Sequence, residues 1–279
     1  MENNHHVAIV ILNYNSWKET IQEADLCHRI LQVEYRDILI IDNASPNDSA
    51  EMLEKESEKK RFVFIKADAN CGYAAGNNIG LRYAFQNGYD YALILNNDII
   101  IEDSQLIQKL LDGFKRDPHV AVVNPDIYSP DGHLFNRDAA KPTFIDYTIG
   151  LLQYKKKGRK LEEKDGIGFV YRPQGCCMMV DLQKMSEVDY FDEHTFLYCE
   201  EPILAERLLR KGYLCACNAT VFIIHNHSKT VKSTFDIHRI IKIQNSSFAY
   251  YLKKYRNFSN IAIKLCCFFN SLKLKCLNK

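Results

Sequence analysis

Ala92-Leu93-Ile94-Leu95-Asn96-Asn97-Asp98-Ile99-Ile100-Ile101 is the stretch on which the reading of this chain turns. Two apolar runs flank three polar residues, and Asp98 carries the only charge. An apolar run bounded by turn residues predicts a strand buried on both faces. A carboxylate where such a strand ends is costly to bury unless a cation or hydrogen-bond donors meet it. Taken alone, the stretch reads as a strand-end turn, with a divalent metal at Asp98 as the sharper alternative.

The same pattern recurs upstream. Val7 to Leu12 is an apolar run ending in Asn13-Tyr14-Asn15, and Ile38 to Ile41 is another ending in Asp42-Asn43-Ala44-Ser45. Phe62 to Ile65 and Val120 to Val123 complete five predicted strands. Between them lie helical patterns. Ile21, Ala24, His28 and Leu31 share one face behind a Ser16-x-x-Glu19 capping-box spacing, and Asp48 and Glu51 open a second helix. A third helix runs from the glycine-rich Asn70 to Gly80 segment to near Gly88, and a fourth spans Ser104 to Phe114. Strands alternating with helices predict an α/β fold: a mostly parallel sheet with helices on both faces. Ligands bind such sheets at the carboxyl ends of the strands, so three polar strand ends point to one shared site.

Farther on, apolar, β-prone residues return at Gly168 to Arg172 and Cys176 to Val180, and a helix is expected from Pro202 to Gly212. Cys215 to Ile224 predicts a strand ending in His225-Asn226-His227, and one or two helices follow Asp236. The segment from Asp126 to Gly166 is irregular, with its charge concentrated in Lys155 to Lys160, which reads as a solvated loop.

Several residues admit both a chemical and a plain structural role. Asp42 beside Asn43 suits a nucleobase or ribose edge, but Asx turns use the same residues. Gly72, Gly76 and Gly80, with Asn77 and Asn78, would let backbone approach a ligand or would pack a helix on the sheet. Their spacing is neither the dinucleotide G-x-G-x-x-G nor a P-loop. Glu200 and Glu201 at a helix start suit a general base or simple capping. For His225 and His227, metal ligation, diphosphate contact and surface placement are all open.

Composition sets outer bounds. A net charge of +1 excludes a strongly basic nucleic-acid binder. From Lys229 onward there are eleven Lys or Arg and one acid, Asp236, an asymmetry that suits either contact with an anionic membrane surface or a solvated helix face. The ten cysteines show no paired zinc spacing and several sit in apolar runs, which predicts reduced, buried thiols. No run is long enough for a membrane span, and the first apolar run is too short for a signal segment. The expectation is a cytoplasmic protein, with contact of its basic C-terminal part with the inner membrane face as one of the two readings of that charge.

Taken in order, the motifs resemble the family 2 glycosyltransferases of the GT-A fold, especially the rhamnosyltransferase-like and polysaccharide-building bacterial members. The matching pieces are Val10 to Asn15, Asp42 to Ser45, Asn70 to Gly80, Leu95 to Asp98, Gly175, Phe191 to Glu201 with Arg207 and Gly212, and His225. The resemblance implies metal-dependent, inverting transfer of a sugar from a nucleotide-diphosphate donor, UDP- or dTDP-linked, to a hydroxyl of a saccharide or lipid-linked saccharide in cell-surface polysaccharide synthesis. It implies that Asp98, with His225, binds Mn²⁺ or Mg²⁺, and that Glu201 or Glu200 is the base. The donor-binding set it implies is Asn13, Tyr14, Asn15, Asp42, Asn43, Gly72, Gly76, Asn77, Asn96 and Asn97. Residues 1–235 are then the GT-A domain, with a nucleotide-sugar half at 7–125 and an acceptor half at 126–235, and residues 236–279 are a basic helical extension. Two departures stand out: the acid usual two residues after the base is Ile203, and Asn226-His227-Ser228-Lys229 replaces the glycines usual after the histidine. Rival readings are a nucleotidyltransferase, which needs a Gly-rich basic loop absent from Asn13 to Thr20, an NAD-dependent oxidoreductase, which needs its glycine fingerprint there, and a catalytically silent nucleotide-sugar-binding protein.

Overall fold

The structure is a computed structural model that describes residues 5–152, 163–226 and 237–277. Lys155 to Lys160 and His227 lie outside the described residues. The strands are β1 (Val7–Asn13), β2 (Ile38–Asp42), β3 (Val63–Lys66), β4 (Tyr91–Leu95), β5 (Ile99–Ile100), β6 (Val120–Tyr128), β7 (Glu163–Lys164), β8 (Ile167–Val170), β9 (Cys177–Asp181) and β10 (Leu214–His225). The helices are α1 (Trp17–Leu31), α2 (Ser49–Lys60), α3 (Tyr73–Gln86), α4 (Leu106–Phe114), α5 (Leu182–Glu187), α6 (Glu200–Arg210), α7 (Ile237–Lys254) and α8 (Asn260–Leu277).

All ten strands join one sheet in the order β3-β2-β1-β4-β9-β6-β10-β8-β7, with β5 pairing β10. Strands β3, β2, β1 and β4 are mutually parallel, and β6 and β10 are parallel to each other. Strand β9 runs antiparallel between β4 and β6. The apolar runs are buried on both faces as their composition requires. Ala8 and Val10 of β1, Leu39 and Ile41 of β2, and Ala92 and Ile94 of β4 face α3, α5 and α6. Their neighbours Ile9, Ile11, Ile38, Ile40, Leu93 and Leu95 face α1, α2 and α4. A period of two thus builds two cores from one set of strands.

Two connections position the site. The chain leaves β4 through Asn96-Asn97-Asp98 and pairs at once, as β5, with the far end of β10, where Ile99 opposes His225. The antiparallel β9 sets Cys177 opposite Leu95, so Gly175 and Cys176 lie beside the polar end of β4. Neither connection has a local sequence signal, because β5 is two residues long and β9 enters from more than 80 residues downstream.

Helices α7 and α8 form an antiparallel hairpin: Asn245 bonds Asn270 and Ser271, and Lys253 bonds Asn260. Phe248, Tyr251, Leu252 and Tyr255 of this hairpin pack on Ile203 of α6 with Cys266. All ten cysteines are free thiols, and most are buried. Among the described residues no helix is long and apolar enough to cross a membrane.

Candidate active site

The polar ends of β1, β2 and β4 meet in one hydrogen-bond network. Register places Asn13 beside Asp42, and the Asn13 amide donates to Asp42 Oδ1 at 2.7 Å. Ser45 donates both its hydroxyl, at 2.6 Å, and its backbone N–H, at 3.0 Å, to the same carboxylate. Thr20 Oγ1 donates to Asn13 Oδ1 at 2.7 Å, and Asn97 Nδ2 donates to Thr20 Oγ1 and to Ser16 Oγ, each at 2.8 Å. Asn13 and Asp42 are fully buried. Ser16 therefore sits at the N-cap position without the predicted capping bond, because its hydroxyl is engaged by Asn97. Asp48 likewise makes no side-chain cap.

Around this network, Asn15 adopts a left-handed conformation with its N–H on Ser45 Oγ, and Ala44 is also left-handed. Tyr14 and Asn96 are half-buried at their strand ends, and the Asn96 N–H donates to the Cys176 carbonyl. Asn43 turns its amide onto Asn70 Oδ1 and the Gly72 carbonyl, tying β2 to the start of α3.

The glycines separate into two kinds. A Cβ at Gly76 would stand 2.6 Å from Leu12, and one at Gly80 would stand 2.6 Å from Val10, so both bring α3 down onto the sheet. Of the two readings open for them, packing accounts for Gly76 and Gly80. Gly72, at φ +97°, lies against the Phe196 carbonyl, which accepts the Tyr73 N–H. Asn77 is buried with its amide on the Tyr73 carbonyl of its own helix, and Asn78 clamps Phe191 and Glu193 from across the core.

Asp98 meets His225 across the β5–β10 pairing, with Oδ1 and Nε2 3.2 Å apart and both side chains about an eighth exposed. The Asn226 N–H bonds the Asp98 carbonyl and fixes the turn. Glu23 of α1 is buried nearby. Burial pushes its carboxyl well above the usual range, the charge of Asp98 adds to this, and the Ile99 N–H opposes it.

The second carboxylate centre heads α6, which starts at Glu200 rather than at Pro202. Cys199 before it is left-handed, and this turns the helix start toward β9. Glu201 Oε1 accepts the Gly175 N–H at 3.2 Å, and Tyr73 donates its hydroxyl to the Gly175 carbonyl at 2.7 Å. Arg172 pairs with Asp138 at 2.9 Å, and against the cost of its own desolvation Glu201 and Asp138 hold it charged. Glu200 is buried, and burial together with the neighbouring Glu201 charge pushes it up to about 8. The Gly175–Cys176 backbone links the two centres, with the Gly175 N–H on Glu201 and the Cys176 carbonyl on the Asn96 N–H; burial pushes the Cys176 thiol up, and the charges of Glu201 and Asp98 push it further.

Behind the site, buried Asp192 accepts hydrogen bonds from Tyr250 of α7, from Tyr255 just after it and from His194. Against the upward push of burial, these donors hold its carboxyl at about 2. Thr20, Glu23, Ser45, Tyr73 and Arg172 had not been singled out by sequence. Ser45, inside the Asp42 to Ser45 motif, and Tyr73, inside the Asn70 to Gly80 motif, carried a signal that could have found them.

Comparison with known proteins places this geometry. The sequence signature described as glycosyl transferase family 2 matches residues 8–180, more than half the chain. The low-salt glycan biosynthesis hexosyltransferase Agl10 of Haloferax volcanii is 26% identical over 222 residues, covering 79% of this chain and 67% of that protein. A poly-beta-1,6-N-acetyl-D-glucosamine synthase of Staphylococcus aureus is 27% identical over 209 residues, covering 74% of this chain. The matched stretch spans 46% of that synthase, about half its length. Among solved structures, the mannosyltransferase PcManGT of Pyrobaculum calidifontis, in complex with GDP-Man and Mn²⁺, aligns with a TM-score of 0.62 at 12% identity, covering 97% of this chain and 70% of that one. S. aureus TarS 1-349 in complex with UDP-GlcNAc aligns at 0.56 and 12% identity, covering 88% and 66%. The structural likenesses show a GT-A fold, and by the signature over residues 8–180 the chain belongs to glycosyl transferase family 2 and is a glycosyltransferase.

Proposed function

We propose that this enzyme transfers a sugar from a nucleoside-diphosphate donor, UDP- or dTDP-linked, to a hydroxyl of a saccharide or lipid-linked saccharide in cell-surface polysaccharide synthesis, with inversion at the anomeric carbon. The observation that carries this reading is that the Gly175–Cys176 backbone holds Glu201 through the Gly175 N–H and the end of β4 through the Cys176 carbonyl, two residues before the Asp98–His225 pair. The matched relatives, a glycan-building hexosyltransferase and a polysaccharide synthase, support the reaction class.

The pair Asp98–His225 supplies a carboxylate oxygen and an imidazole nitrogen, which suits Mn²⁺ or Mg²⁺. Among the described residues no group of three or more His, Cys, Asp or Glu is placed to hold a metal. A site with so few protein ligands fits a cation that completes its shell with substrate phosphate oxygens and water. Bound there, the ion supplies charge neutralisation for the leaving diphosphate. Asn13 and Asp42 form the wall for base and ribose, held rigid by Thr20 and Ser45.

Glu201 takes the proton of the acceptor hydroxyl. Of the two carboxylates, Glu201 is assigned as the base because the Gly175 N–H holds it, whereas burial and the neighbouring Glu201 charge raise Glu200. Thermal stabilisation screened with UDP-, dTDP- and GDP-sugars, with and without Mn²⁺, tests the donor. The expected result is an upward shift with one nucleotide class that needs the metal. No shift with any of them, and no transfer, would overturn the reading.

A further inference from the structure

Helix α8 carries apolar residues on two opposite sides, and only one of them is covered. Its inner face, with Cys266 fully buried and Ile263 and Cys267 partly so, packs on Phe248, Tyr251 and Leu252 of α7 and on Tyr255 after it. At 100° per residue, Ile261, Leu265, Phe268 and Leu272 fall within one narrow stripe on the opposite side. They are 75%, 44%, 58% and 37% exposed. Single exposed apolar residues are ordinary, but a continuous exposed apolar stripe along a helix marks an interaction surface. The turn Ile149–Leu152, which packs against α8, adds Ile149, and Ile145 lies just before it, both more than half exposed.

Charge selects the occupant. Lys264 and Lys275 line one edge of the stripe, Lys273 lies beyond the other, and all three are exposed. No acid follows Asp236 in the chain. An apolar stripe bordered by lysines is the arrangement of a helix lying in a membrane interface, with lysines at the headgroups. We infer that the outer face of α8 docks on an anionic lipid bilayer, with Ile261, Leu265, Phe268 and Leu272 entering the acyl boundary and Lys264, Lys273 and Lys275 meeting the headgroups.

The surface is tied to the catalytic loop. Ser247 donates to the Leu197 carbonyl at 2.8 Å, and Tyr250 and Tyr255 bond Asp192. Docking therefore sets the height of the 192–201 segment, and of Glu201, above the bilayer. This deepens the proposed function on its acceptor side and rests on it only for the claim that the acceptor is lipid-linked.

The test is flotation of the full chain with vesicles, in the absence of donor. Mixed phosphatidylcholine–phosphatidylglycerol vesicles are expected to carry the protein at low salt, and pure phosphatidylcholine vesicles to carry little. Leu265→Glu with Phe268→Glu should drop binding to the phosphatidylcholine level while the melting temperature stays unchanged, since both side chains are exposed. Replacing Lys264, Lys273 and Lys275 by Gln should weaken partition by about five-fold per charge and flatten its salt dependence. In Leu265→Trp, vesicles should shift the emission to the blue. No binding to mixed vesicles overturns the inference, as does binding that the double variant leaves intact. A dimer by light scattering that the double variant converts to monomer, without vesicle binding, assigns the stripe to a second copy instead. Calorimetric binding of donor with Mn²⁺ is measured separately on the same variants, so failure of the membrane surface and failure of the donor site are told apart.

Discussion

Asp42 and Asp98 each end or follow a buried parallel strand, each beside an asparagine, and they serve differently. Asp42 is fully buried and already holds three donors from Asn13 and Ser45. Asp98 is partly exposed and faces a histidine brought from 127 residues downstream by the two-residue strand β5. The first carboxylate braces the site, and the second opens onto it. Similar local sequence thus yields one carboxylate saturated by its neighbours and one set against a histidine, and the distant partner makes the difference.

Mutations can break or sharpen that contrast. The largest effect is expected at Asp98: Asp98→Ala should remove Mn²⁺-dependent donor binding by more than about 100-fold in calorimetry, beyond the loss typical of an outer-shell group. Unchanged binding would end its assignment as ligand. Glu201→Gln is expected to cut turnover by about 10²–10⁴-fold with donor affinity retained. If Glu200→Gln gave that loss and Glu201→Gln did not, the base would be the other carboxylate.

Asp42→Ala should behave unlike Asp98→Ala by lowering stability first. It strands the Asn13 amide and both Ser45 donors in a buried site, a cost of about 3 kcal/mol, read as a lower denaturant midpoint at constant slope. A midpoint equal to that of the parent would show that the network relaxes and would erase the contrast.

The smallest effect concerns pH and Asp192. Its folded carboxyl is held at about 2, below an unfolded value of roughly 4. Its contribution is therefore complete above the unfolded pKa and is lost as the pH falls toward the folded one. Asp192→Asn should cost about 2 kcal/mol at neutral pH, and the gap to the parent should narrow as the pH drops from about 4 to about 2. A gap independent of pH would mean that the folded Asp192 carboxyl is not held below its unfolded value.

The parallel half was legible because its signals are local. Val7 to Leu12, Ile38 to Ile41 and Tyr91 to Leu95 are apolar without interruption, and only strands covered on both faces use such runs. The half that carries Glu201 was less legible. Strand β9 is antiparallel in a largely parallel sheet, β6 runs on to Tyr128 past the predicted Val123, and α6 begins two residues before its proline. The Tyr147–Tyr171–Tyr251 hydroxyl cluster with Glu206 and Arg256 joins four separate segments that nothing local connects.

By itself the sequence determined the layered α/β architecture, the polar strand ends and their order, because hydrophobic period and turn chemistry act between near neighbours. Only the tertiary structure decided that Asp98 meets His225, that Asn97 braces Thr20, that Gly76 packs the sheet, and that α8 keeps an uncovered apolar stripe. Each of these depends on which surface a residue faces once strands from distant parts of the chain have paired. No spacing in the sequence carries that information.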